Sequence, residues 1–333
     1  MKKTLRVALI GCGAISDNHI SAILSSENAE LVALCDVIRE RAEKKKQAYG
    51  IDVNLYTDYR AMLDSEELDV IHVATPHDLH TEMTLAALQR DINVFLEKPM
   101  CIREEDIDKL IEAEKKSKGR VCVCFQNRFN KITEAARRVA EDDGGVVAAY
   151  VTQFWHRDAE YYAQDAWRGT TAHECGGVMI NQAIHQMDLL CFFLGKPTKI
   201  CACAANHSLK GVVEVEDSCE GFIEFEGGKR ANFYATNSAS VGDYTSVVLV
   251  TKNHRIEMRH PYLFVDSLVN SDAKNIIPET GKACYGEGHD YVIDSFYNAL
   301  LQGTRVPVSL DEAQHAVRIV LAAYRSKNEL INI

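Results

Sequence analysis

The chain has 333 residues, of which 47% are hydrophobic and 26% charged, and its formal net charge is −11. One ordinary hydrophobic core rarely organises so long a chain, so we expect two globular domains. The negative charge argues against proteins that bind nucleic acid through a basic face and against docking on anionic membranes. A phosphate-bearing small molecule stays compatible, because backbone N–H groups can bind it locally.

Eleven cysteines are spread along the chain, with no CxxC pair among them. Cys122 and Cys124, like Cys201 and Cys203, stand two residues apart in apolar runs, where they share one face of a strand. This pattern predicts small buried side chains in a reducing cytoplasm, without disulfides or a metal site. The apolar run at 7–10 is too short for a signal peptide and no run has transmembrane length, so we expect a cytoplasmic protein.

The first third alternates buried strands with helices. The predicted strands are LRVALIG, LVALCD, LDVIHVATP, NVFLEKP and VCVCFQ, and the predicted helices are DNHISAILSS, VIRERAEKKKQAY, HDLHTEMTLAALQR and REEDIDKLIEAEKKSKG. Ser16 or Asp17 is the expected cap of the first helix, and Gly50 is expected to end the second. Strands that are apolar on both faces predict a doubly wound parallel sheet of the Rossmann type over residues 1–124.

The pattern changes near residue 125, where longer strands with alternating apolar and polar residues follow one more helix at about 131 to 141. GFIEFEGGKRANFYAT predicts a hairpin that turns at 227–228, and YTSVVLVTKNHRIEMR predicts a second that turns at 252–254. A last helix is expected at about 311–327. Residues 125–333 are therefore predicted to form a separate α+β domain with antiparallel strands.

GCGAIS follows the first strand and opens the first helix. Gly11 and Gly13 fit the G-x-G start of a dinucleotide-binding turn, where missing side chains let the backbone approach a pyrophosphate at a helix N-terminus. Ser16 departs from the strict pattern at the third glycine. Asp36 ends the second strand 36 − 11 = 25 residues later, where an acid binds the ribose hydroxyls of NAD. The ordinary alternative is a tight turn with a helix-capping aspartate.

The same aspartate would repel the 2′-phosphate of NADP, so the sequence favours NAD as the cofactor. Arg39 and Arg41 follow closely enough to weaken this preference, and NADP stays open as the less favoured cofactor.

ATPHDLH and FLEKPM end the third and fourth predicted strands, at the edge where such sheets bind ligands. His77 and His80 form an HxxH, but a metal site needs more ligands than this segment offers, so we expect them at the edge of the cofactor. Glu97 and Lys98 end an apolar run. Because a lysine is costly to dehydrate, Lys98 is either a surface residue or a functional one.

These motifs and GGVMINQAIHQMD in the second half occur in the order of the Gfo/Idh/MocA family, the relatives of glucose-fructose oxidoreductase and inositol dehydrogenase. The chain resembles that family over nearly its whole length. The resemblance implies an amino-terminal domain that binds NAD(P). It also implies a carboxyl-terminal domain whose large open, mainly antiparallel sheet supports substrate binding and homodimer or homotetramer contacts.

The resemblance further implies that Lys98 is catalytic beside the nicotinamide and that Glu97 contacts the nicotinamide-side ribose. Asn127 in FQNRF and Trp167-Arg168 in AWRGT match positions that line the cofactor or substrate. The residues expected at the cofactor are Gly11, Gly13, Ala14, Ile15, Asp36, Ala74, Thr75, His77, His80, Glu97, Lys98, Asn127, Trp167 and Arg168.

GGVMINQAIHQMDLLCFFLG predicts a mostly apolar helix on which Asn181, His185 and Asp188 share one stripe. A buried, hydrogen-bonded histidine is the ordinary explanation of such a stripe, whereas the resemblance implies that Lys98, Asn181 and His185 are catalytic and contact the substrate. The family that the chain resembles often has aspartate where this chain has Asn181, and many of its members, such as the sugar-nucleotide oxidases, carry asparagine there. Asparagine cannot take a proton, so Asn181 is expected to orient a substrate hydroxyl while His185 acts as base or proton relay with Lys98. Asp188 either holds the imidazole or faces solvent.

Six other residues are weaker candidates for substrate contacts: Arg128, His156, Tyr161, Tyr162, His173 and His289.

The expected function is an NAD-dependent dehydrogenase that oxidises a secondary hydroxyl of a sugar, cyclitol or sugar derivative, including nucleotide-linked ones. A partly dehydrated Lys98 could exchange a proton with that hydroxyl. Two alternatives stay open. One is a glycosidase that uses NAD transiently for oxidation at C3 followed by elimination. The other is a non-catalytic NAD sensor, against which the intact Lys98 and His185 argue.

Overall fold

A computed structural model of the chain describes residues 4–240, 242–275 and 286–333. These residues form two compact units. The first contains residues 4–126 and 286–313, and the second contains 127–240, 242–275 and 314–333. A single boundary at residue 125 therefore does not describe the whole division, because the stretch 286–313 belongs to the first unit.

The strands, in chain order, are β1 (Leu5–Ile10), β2 (Ala29–Cys35), β3 (Asn54–Tyr56), β4 (Val70–Val73), β5 (Asn93–Glu97), β6 (Val121–Cys124), β7 (Ala148–Phe154), β8 (Pro197–Ala205), β9 (Ser218–Phe225), β10 (Arg230–Thr236), β11 (Tyr244–Val250), β12 (Arg255–Arg259), β13 (Tyr262–Val265), β14 (Leu268–Lys274) and β15 (Ile331–Asn332).

The α-helices are α1 (Ser16–Ser25), α2 (Arg39–Tyr49), α3 (Tyr59–Ser65), α4 (His80–Leu88), α5 (Glu104–Lys116), α6 (Lys131–Asp142), α7 (Ala159–Ala163), α8 (Thr171–Glu174), α9 (Ile184–Leu194), α10 (Gly288–Gln302) and α11 (Leu310–Ser326).

The first unit is built on a six-stranded sheet with the order β3-β2-β1-β4-β5-β6, and every neighbouring pair is parallel. This is the strand order of a dinucleotide-binding Rossmann sheet. Strands β4 and β6 are buried along their whole length, which explains why their sequences are apolar on both faces. The predicted parallel sheet is confirmed. β3 and α3 were not predicted, because β3 has three residues and is too short to show a pattern.

Two helix ends of this unit test the predicted caps. Gly50 follows α2 in the left-handed conformation, with φ 62°, as predicted. The start of α1 differs from the prediction, because its cap position is Ile15, which contributes no side-chain hydrogen bond. The Ser16 hydroxyl instead donates to the carbonyl of Gly13, at 2.5 Å. The first turn of α1 is therefore left without a side-chain cap.

The second unit is built on a nine-stranded sheet with the order β14-β13-β12-β11-β7-β10-β9-β8-β15. Its neighbouring strands are antiparallel except for β7 and β10, which run parallel. The predicted hairpins are confirmed as β9 with β10 and β11 with β12. Side chains of β7 alternate between buried Ala149 and Val151 and exposed Tyr150 and Phe154, so one face of the strand is dry.

Ten of the cysteines lie in the described residues, and Cys284 lies outside them. Cys175, Cys201 and Cys203 are half-buried and the other seven are buried, as expected of small hydrophobic side chains. Within residues 4–240, 242–275 and 286–333, no helix combines the length and the apolar character needed to cross a membrane.

Candidate functional site

The turn between β1 and α1 requires glycine at its first position. Gly11 has φ +95°, and a Cβ built on it would lie 2.3 Å from the carbonyl oxygen of Ala74. The Gly11 N–H donates to the carbonyl of Cys35, at 2.8 Å. A side chain at position 11 would therefore be strained and would also push β1 away from the end of β4.

Gly13 lies in a different environment. A Cβ built on Gly13 would meet no atom within 4 Å, and its φ is not in the left-handed region. The backbone is thus approachable here, beside the uncapped first turn of α1, where N–H groups and the helix dipole favour an anion. The neighbouring Ala14 is exposed and Ile15 is half-buried. These residues fit the pyrophosphate of a dinucleotide.

Asp36 stands at the end of β2 and joins the glycine turn to the start of α2. One carboxylate oxygen accepts the N–H of Cys12 and the other accepts the N–H of Ile38, both at 2.8 Å. Each oxygen has a second lone pair, so both can also accept a ribose hydroxyl. Arg39 forms an ion pair with Glu43 along α2, at 2.8 Å, so its charge is engaged there.

The ATPHDLH segment follows β4, and His80 lies at its centre. The His80 ring is fully buried between two carbonyl oxygens, with Nδ1 2.7 Å from that of Pro99 and Nε2 3.0 Å from that of Thr75. Burial lowers the pKa of His80, and the charge of Lys98 lowers it further. His80 therefore packs between the segment after β4 and the segment after β5. His77 is also buried, with its ring centroid 5.9 Å from that of His80.

Glu97 is the last residue of β5, and its carboxylate is buried. Oε1 lies 3.0 Å from Nε2 of His19 and 3.8 Å from Nε2 of His289, and Oε2 accepts the N–H of Lys98 at 3.3 Å. Burial alone would raise the pKa of the Glu97 carboxyl, but the hydrogen bonds from His19 and His289 hold it well below its usual value. The carboxylate is therefore charged, and protein donors surround it.

The Glu97 carboxylate is one end of a buried chain of hydrogen bonds. Nδ1 of His19 lies 2.8 Å from Nδ1 of His72, and Nε2 of His72 lies 2.7 Å from the hydroxyl of Tyr297. Burial keeps the pKa of His72 well below its usual value, so this ring is neutral. A charged carboxylate only accepts, so Nε2 of His19 donates to Glu97, and the hydroxyl of Tyr297 is the hydrogen-bond partner of the neutral His72 ring.

Tyr297→Phe should lower the free energy of unfolding by about 1–3 kcal/mol, because the buried Nε2 of His72 would lose its hydrogen-bond partner. Tyr291→Phe on the same helix is the matched control, since Tyr291 is 48% exposed. Urea unfolding at pH 7 measures both variants. Equal stability of the two would contradict the hydrogen-bond chain.

Among the described residues, one group of three side chains has the spacing of a metal site. The ligand atoms of Glu97, Cys124 and His289 lie within 4.8 Å of one another. Burial and the charge of Glu97 raise the pKa of the Cys124 thiol well above its usual value. Oε1 of Glu97 also accepts from Nε2 of His19, so these side chains belong to a buried polar cluster.

Lys98 directly follows β5, at the carboxyl edge of the parallel sheet, and its side chain is half-buried. The peptide bond to Pro99 is cis. The charge of Lys98 acts on the pKa values of both His80 and Cys124, so its ammonium lies near these buried groups. The glycine turn, Asp36 and Lys98 thus lie along one edge of the same sheet, as the sequence predicted.

In the second unit, the GGVMINQAIHQ segment begins in direct contact with the residues that lead into β9. A Cβ on Gly177 would lie 1.9 Å from the carbonyl oxygen of Glu216. The Glu216 carboxylate accepts the N–H groups of Gly177 and Met179, at 2.8 and 3.0 Å, and so caps the helical segment. Burial raises the pKa of Glu216. Glycine is needed at position 177 because the backbone of this segment contacts the backbone of Glu216.

The predicted helix is not regular. Met179–Ala183 is a π-helical turn, and α9 follows from Ile184. Short π-helical stretches occur often at functional sites. Asn181 lies in this turn and is half-buried, and His185 is buried in the first turn of α9.

Asn181 is held by a residue that was not predicted. Its Nδ2 donates to Oε1 of Glu174, the last residue of α8, and Oε2 of Glu174 accepts the N–H of Gly169 at 2.5 Å. Glu174 is almost fully buried. The carboxylate thereby joins Asn181 to the loop that carries Trp167 and Arg168.

That loop belongs to a second polar cluster. Nη1 of Arg168 donates to the hydroxyl of Tyr161 at 2.6 Å, and its guanidinium lies 4.9 Å from the ring centroid of Trp167. Nε2 of Gln182 also donates to this hydroxyl, at 3.3 Å. Arg168 and the π-helical turn are thus connected through side chains, and Nδ2 of Asn237 donates to Oε1 of Gln182 at 3.1 Å.

Asp188 does not face solvent, and that alternative is wrong. Its carboxylate is buried and accepts Nε and Nη2 of Arg128, at 2.8 and 2.6 Å. A buried bidentate pair of this kind fixes both side chains. Arg128 therefore ties the segment before α6 to α9.

The other candidates are scattered. His156 and His173 are exposed, and Tyr162 is buried with its hydroxyl accepting from Asn237 at 3.1 Å. His289 lies in the first unit beside Glu97. The carbonyl of Asn127 accepts from the hydroxyl of Thr133, at 2.7 Å, while its buried Oδ1 has no hydrogen-bond partner in the part of the chain that the structure describes.

Sequence reasoning missed Glu174, Gln182 and Asn237. Gln182 could have been noticed as a polar residue next to Asn181 in an apolar segment. Asn237 could have been noticed as a polar residue directly after strand β10. Glu174 offered no such signal, because its contacts depend on how a four-residue helix turns back on the loop before it.

Comparison with known families matches both parts of the chain. The sequence model of the oxidoreductase family with an NAD-binding Rossmann fold, GFO_IDH_MocA, matches residues 5–125. The model of the GFO/IDH/MocA C-terminal domain matches residues 132–257.

Individual relatives agree with this. D-apiose dehydrogenase of Paraburkholderia graminis is 30% identical over 68% of this chain, but the match spans only 59% of that protein. D-glucoside 3-dehydrogenase of Escherichia coli is 30% identical over 67% of this chain and 68% of the relative.

The crystal structure of the WlbA dehydrogenase from Bordetella pertussis, in complex with NADH and UDP-GlcNAcA, has a TM-score of 0.88 at 26% identity and covers 100% of this chain and 99% of its own. With both domain models matched and the parallel sheet, glycine turn and Asp36 in place, the chain belongs to the Gfo/Idh/MocA family of oxidoreductases with an NAD-binding Rossmann fold.

Proposed function

We propose that the protein is an NAD-dependent dehydrogenase that oxidises a secondary hydroxyl of a sugar, a cyclitol or a sugar derivative, including nucleotide-linked sugars. The relatives named above are dehydrogenases of D-apiose and of D-glucosides, and the WlbA structure holds a nucleotide sugar. The observation that carries the proposal is the single sheet edge that holds the glycine turn, Asp36 and Lys98.

The residues of the first unit have distinct roles in this proposal. Gly11, Gly13 and the first turn of α1 bind the pyrophosphate, and Asp36 binds a ribose. NAD held by these residues would supply the acceptor for the hydride of the alcohol carbon. Lys98, half-buried at the carboxyl edge of the sheet, exchanges the hydroxyl proton: its neutral amine takes the proton when the alcohol is oxidised, and its ammonium returns one in the reverse reaction. Glu97 holds the backbone of Lys98 in place.

The residues of the second unit act on the substrate. Asn181 orients a substrate hydroxyl, and His185 serves as base or proton relay. Trp167 and Arg168 form one side of the polar cluster with Tyr161 and complete the set of cofactor and substrate contacts. Asn181 of the π-helical turn and His185 of α9 thus have different roles.

Asp36 supports NAD rather than NADP. Oδ2 accepts the N–H of Cys12 in the glycine turn, and a 2′-phosphate on a ribose bound there would meet the negative charge of this carboxylate. Arg39 pairs with Glu43 along α2.

A screen of sugars, inositols and nucleotide sugars with NAD and with NADP, read at the NADH absorbance, tests the proposed function. We expect turnover on at least one ring polyol and a kcat/KM at least ~10-fold higher with NAD. A like charge near the ribose costs about 1.4 kcal/mol or more, which corresponds to that factor. NADP-only turnover would contradict the role of Asp36.

The alternatives have their own outcomes in this screen. A glycosidase that uses NAD transiently would release the aglycone of a glycoside without net formation of NADH. A sensor would bind NAD in calorimetry and show no turnover on the whole panel. The half-buried Lys98 favours the dehydrogenase over the sensor, because a sensor has no need of a partly dehydrated ammonium.

We also propose a cytoplasmic homodimer or homotetramer. Seven buried cysteines suit a reducing compartment. The nine-stranded sheet exposes Tyr150, Phe154 and Tyr244 side chains, and Phe154 lies 5.5 Å from the ring of Tyr234. An exposed aromatic face of this kind fits a contact between copies of the chain, which analytical ultracentrifugation can test.

A further inference from the structure

Glu174 is a buried carboxylate that the proposed roles do not use. It is 1% exposed and ends the short helix α8, and Cys175 after it adopts a left-handed conformation with φ 70°. Its two oxygens accept from two different segments, Oε2 from the Gly169 N–H and Oε1 from the Asn181 amide. Burying a carboxylate costs free energy unless hydrogen-bond donors compensate its charge.

Glu174 is the acceptor in both contacts. The Gly169 N–H donates to Oε2, and Nδ2 of Asn181 donates to Oε1. The amide of Asn181 therefore meets Glu174 through its NH₂ group. The amide is planar, so the carbonyl oxygen Oδ1 points to the other side. The contact thus selects one of the two amide orientations.

We propose that Glu174 is a positioning residue that locks the Asn181 amide so that its oxygen, and not its NH₂ group, is presented to a substrate hydroxyl. This inference rests on the proposed function, in which Asn181 orients that hydroxyl. Asn181 then acts as a neutral hydrogen-bond acceptor. The polarity of position 181 is set by its neighbour, because asparagine alone can present either end.

The same contact makes Glu174 a link between two parts of the substrate region. Gly169 directly follows Arg168, and its N–H is held by the carboxylate that holds Asn181. A substrate that contacts the loop at 167–169 would therefore meet an Asn181 amide whose orientation is already fixed. The site gains an acceptor without an ordering step at the time of binding.

Three variants test the proposal by exchanging the two groups. In Glu174→Gln, the Gly169 N–H holds the new carbonyl oxygen and leaves the new NH₂ group facing Asn181. Asn181 must then turn its oxygen inward and present NH₂ to the substrate. In Asn181→Asp, two carboxylates face each other. In the double variant, the new amide at position 174 donates to the new carboxylate at position 181, whose other oxygen again faces the substrate.

We expect Glu174→Gln to lower kcat/KM at least ~10-fold, and the double variant to recover at least ~10-fold over Glu174→Gln, because contacting residues in one hydrogen-bond pair are coupled. The activity of Asn181→Asp relative to wild type should rise as the pH falls, since one added proton restores a single donor between the carboxyl groups. A merely structural role of Glu174 would not produce the recovery in the double variant or the pH dependence of Asn181→Asp.

Glu216→Gln is the matched control. Glu216 is also a buried carboxylate at the start of the same helical segment, but its donors are Gly177, Met179 and Tyr324 rather than Asn181. Combining Glu216→Gln with Asn181→Asp should therefore give no recovery. Equal recovery with both glutamines would overturn the proposal, as would a double variant no more active than Glu174→Gln.

Thermal unfolding without substrate tests the contact independently of turnover. In Asn181→Asp the facing carboxylates raise a pKa in the folded state above its unfolded value, so stability relative to wild type falls as the pH rises from about 4 to 7. The double variant should lose this pH dependence. A wild-type enzyme without turnover on any substrate would contradict the proposed function, whereas an Asn181→Asp melting profile parallel to wild type would overturn the role of Glu174.

Discussion

Lys98→Ala and His185→Ala are each expected to lower turnover at least ~100-fold while NAD still binds, because a positioned general acid or base contributes about that much or more. Lys98 is the half-buried ammonium at the carboxyl edge of the parallel sheet, and His185 is the buried imidazole one turn beyond Asn181. Steady-state kinetics on the substrate found by screening, with NAD binding followed by calorimetry, measures the two effects separately.

Two exposed residues serve as matched controls. The Lys118 side chain is 90% exposed in the segment before β6, and His207 is exposed in the loop after β8. Lys118→Ala and His207→Ala should leave turnover within about twofold, as surface substitutions usually do. If Lys98→Ala and His185→Ala both kept wild-type turnover, neither residue would exchange the proton of the reacting hydroxyl.

Gly11→Ala and Gly13→Ala should separate folding from cofactor binding. At position 11 the added methyl would meet the Ala74 carbonyl at 2.3 Å in a left-handed backbone, so we expect a loss of about 2–4 kcal/mol in the free energy of unfolding. At position 13 the methyl would meet no protein atom within 4 Å. Stability should stay within about 0.5 kcal/mol there, while NAD affinity falls at least ~10-fold.

Denaturant unfolding and NAD calorimetry of both variants distinguish these effects. The two substitutions add the same methyl group two residues apart, so each is the control for the other. A Gly13→Ala variant that bound NAD as wild type does would show that the cofactor does not approach this part of the turn. An equally stable Gly11→Ala variant would mean that the ends of β1 and β4 can move apart without cost.

Apart from β3 and α3, the order of strands and helices in the first 125 residues was readable from the sequence. Buried parallel strands must be apolar on both faces, and the helices between them carry a polar face, so the two patterns differ along the chain. The glycine turn and Asp36 belong to one strand–turn–helix–strand unit and could be placed by spacing. The hairpins β9–β10 and β11–β12 were readable for a similar reason, because their partners are adjacent in sequence.

The contacts that define the polar clusters were not readable in this way. His72 and Tyr297 are 225 residues apart, and the sequence had no signal that residues 286–313 join the first unit. Asp188 was expected to hold an imidazole or face solvent, but it is buried against Arg128, 60 residues away. Such pairs depend on which side chains the folded chain brings within hydrogen-bonding distance, and a hydrogen bond has no periodic pattern in the sequence.

The amino-acid sequence by itself determined the parallel sheet, the dinucleotide turn and the position of Lys98 at its edge, since these follow from local periodicity and from residue types that tolerate few conformations. Only the tertiary structure decided that Glu97 is enclosed by histidines and that Glu174 holds Asn181. The physical reason is burial. A charge removed from water must find donors wherever the fold supplies them, and those donors come from segments that are distant or unpatterned in the sequence.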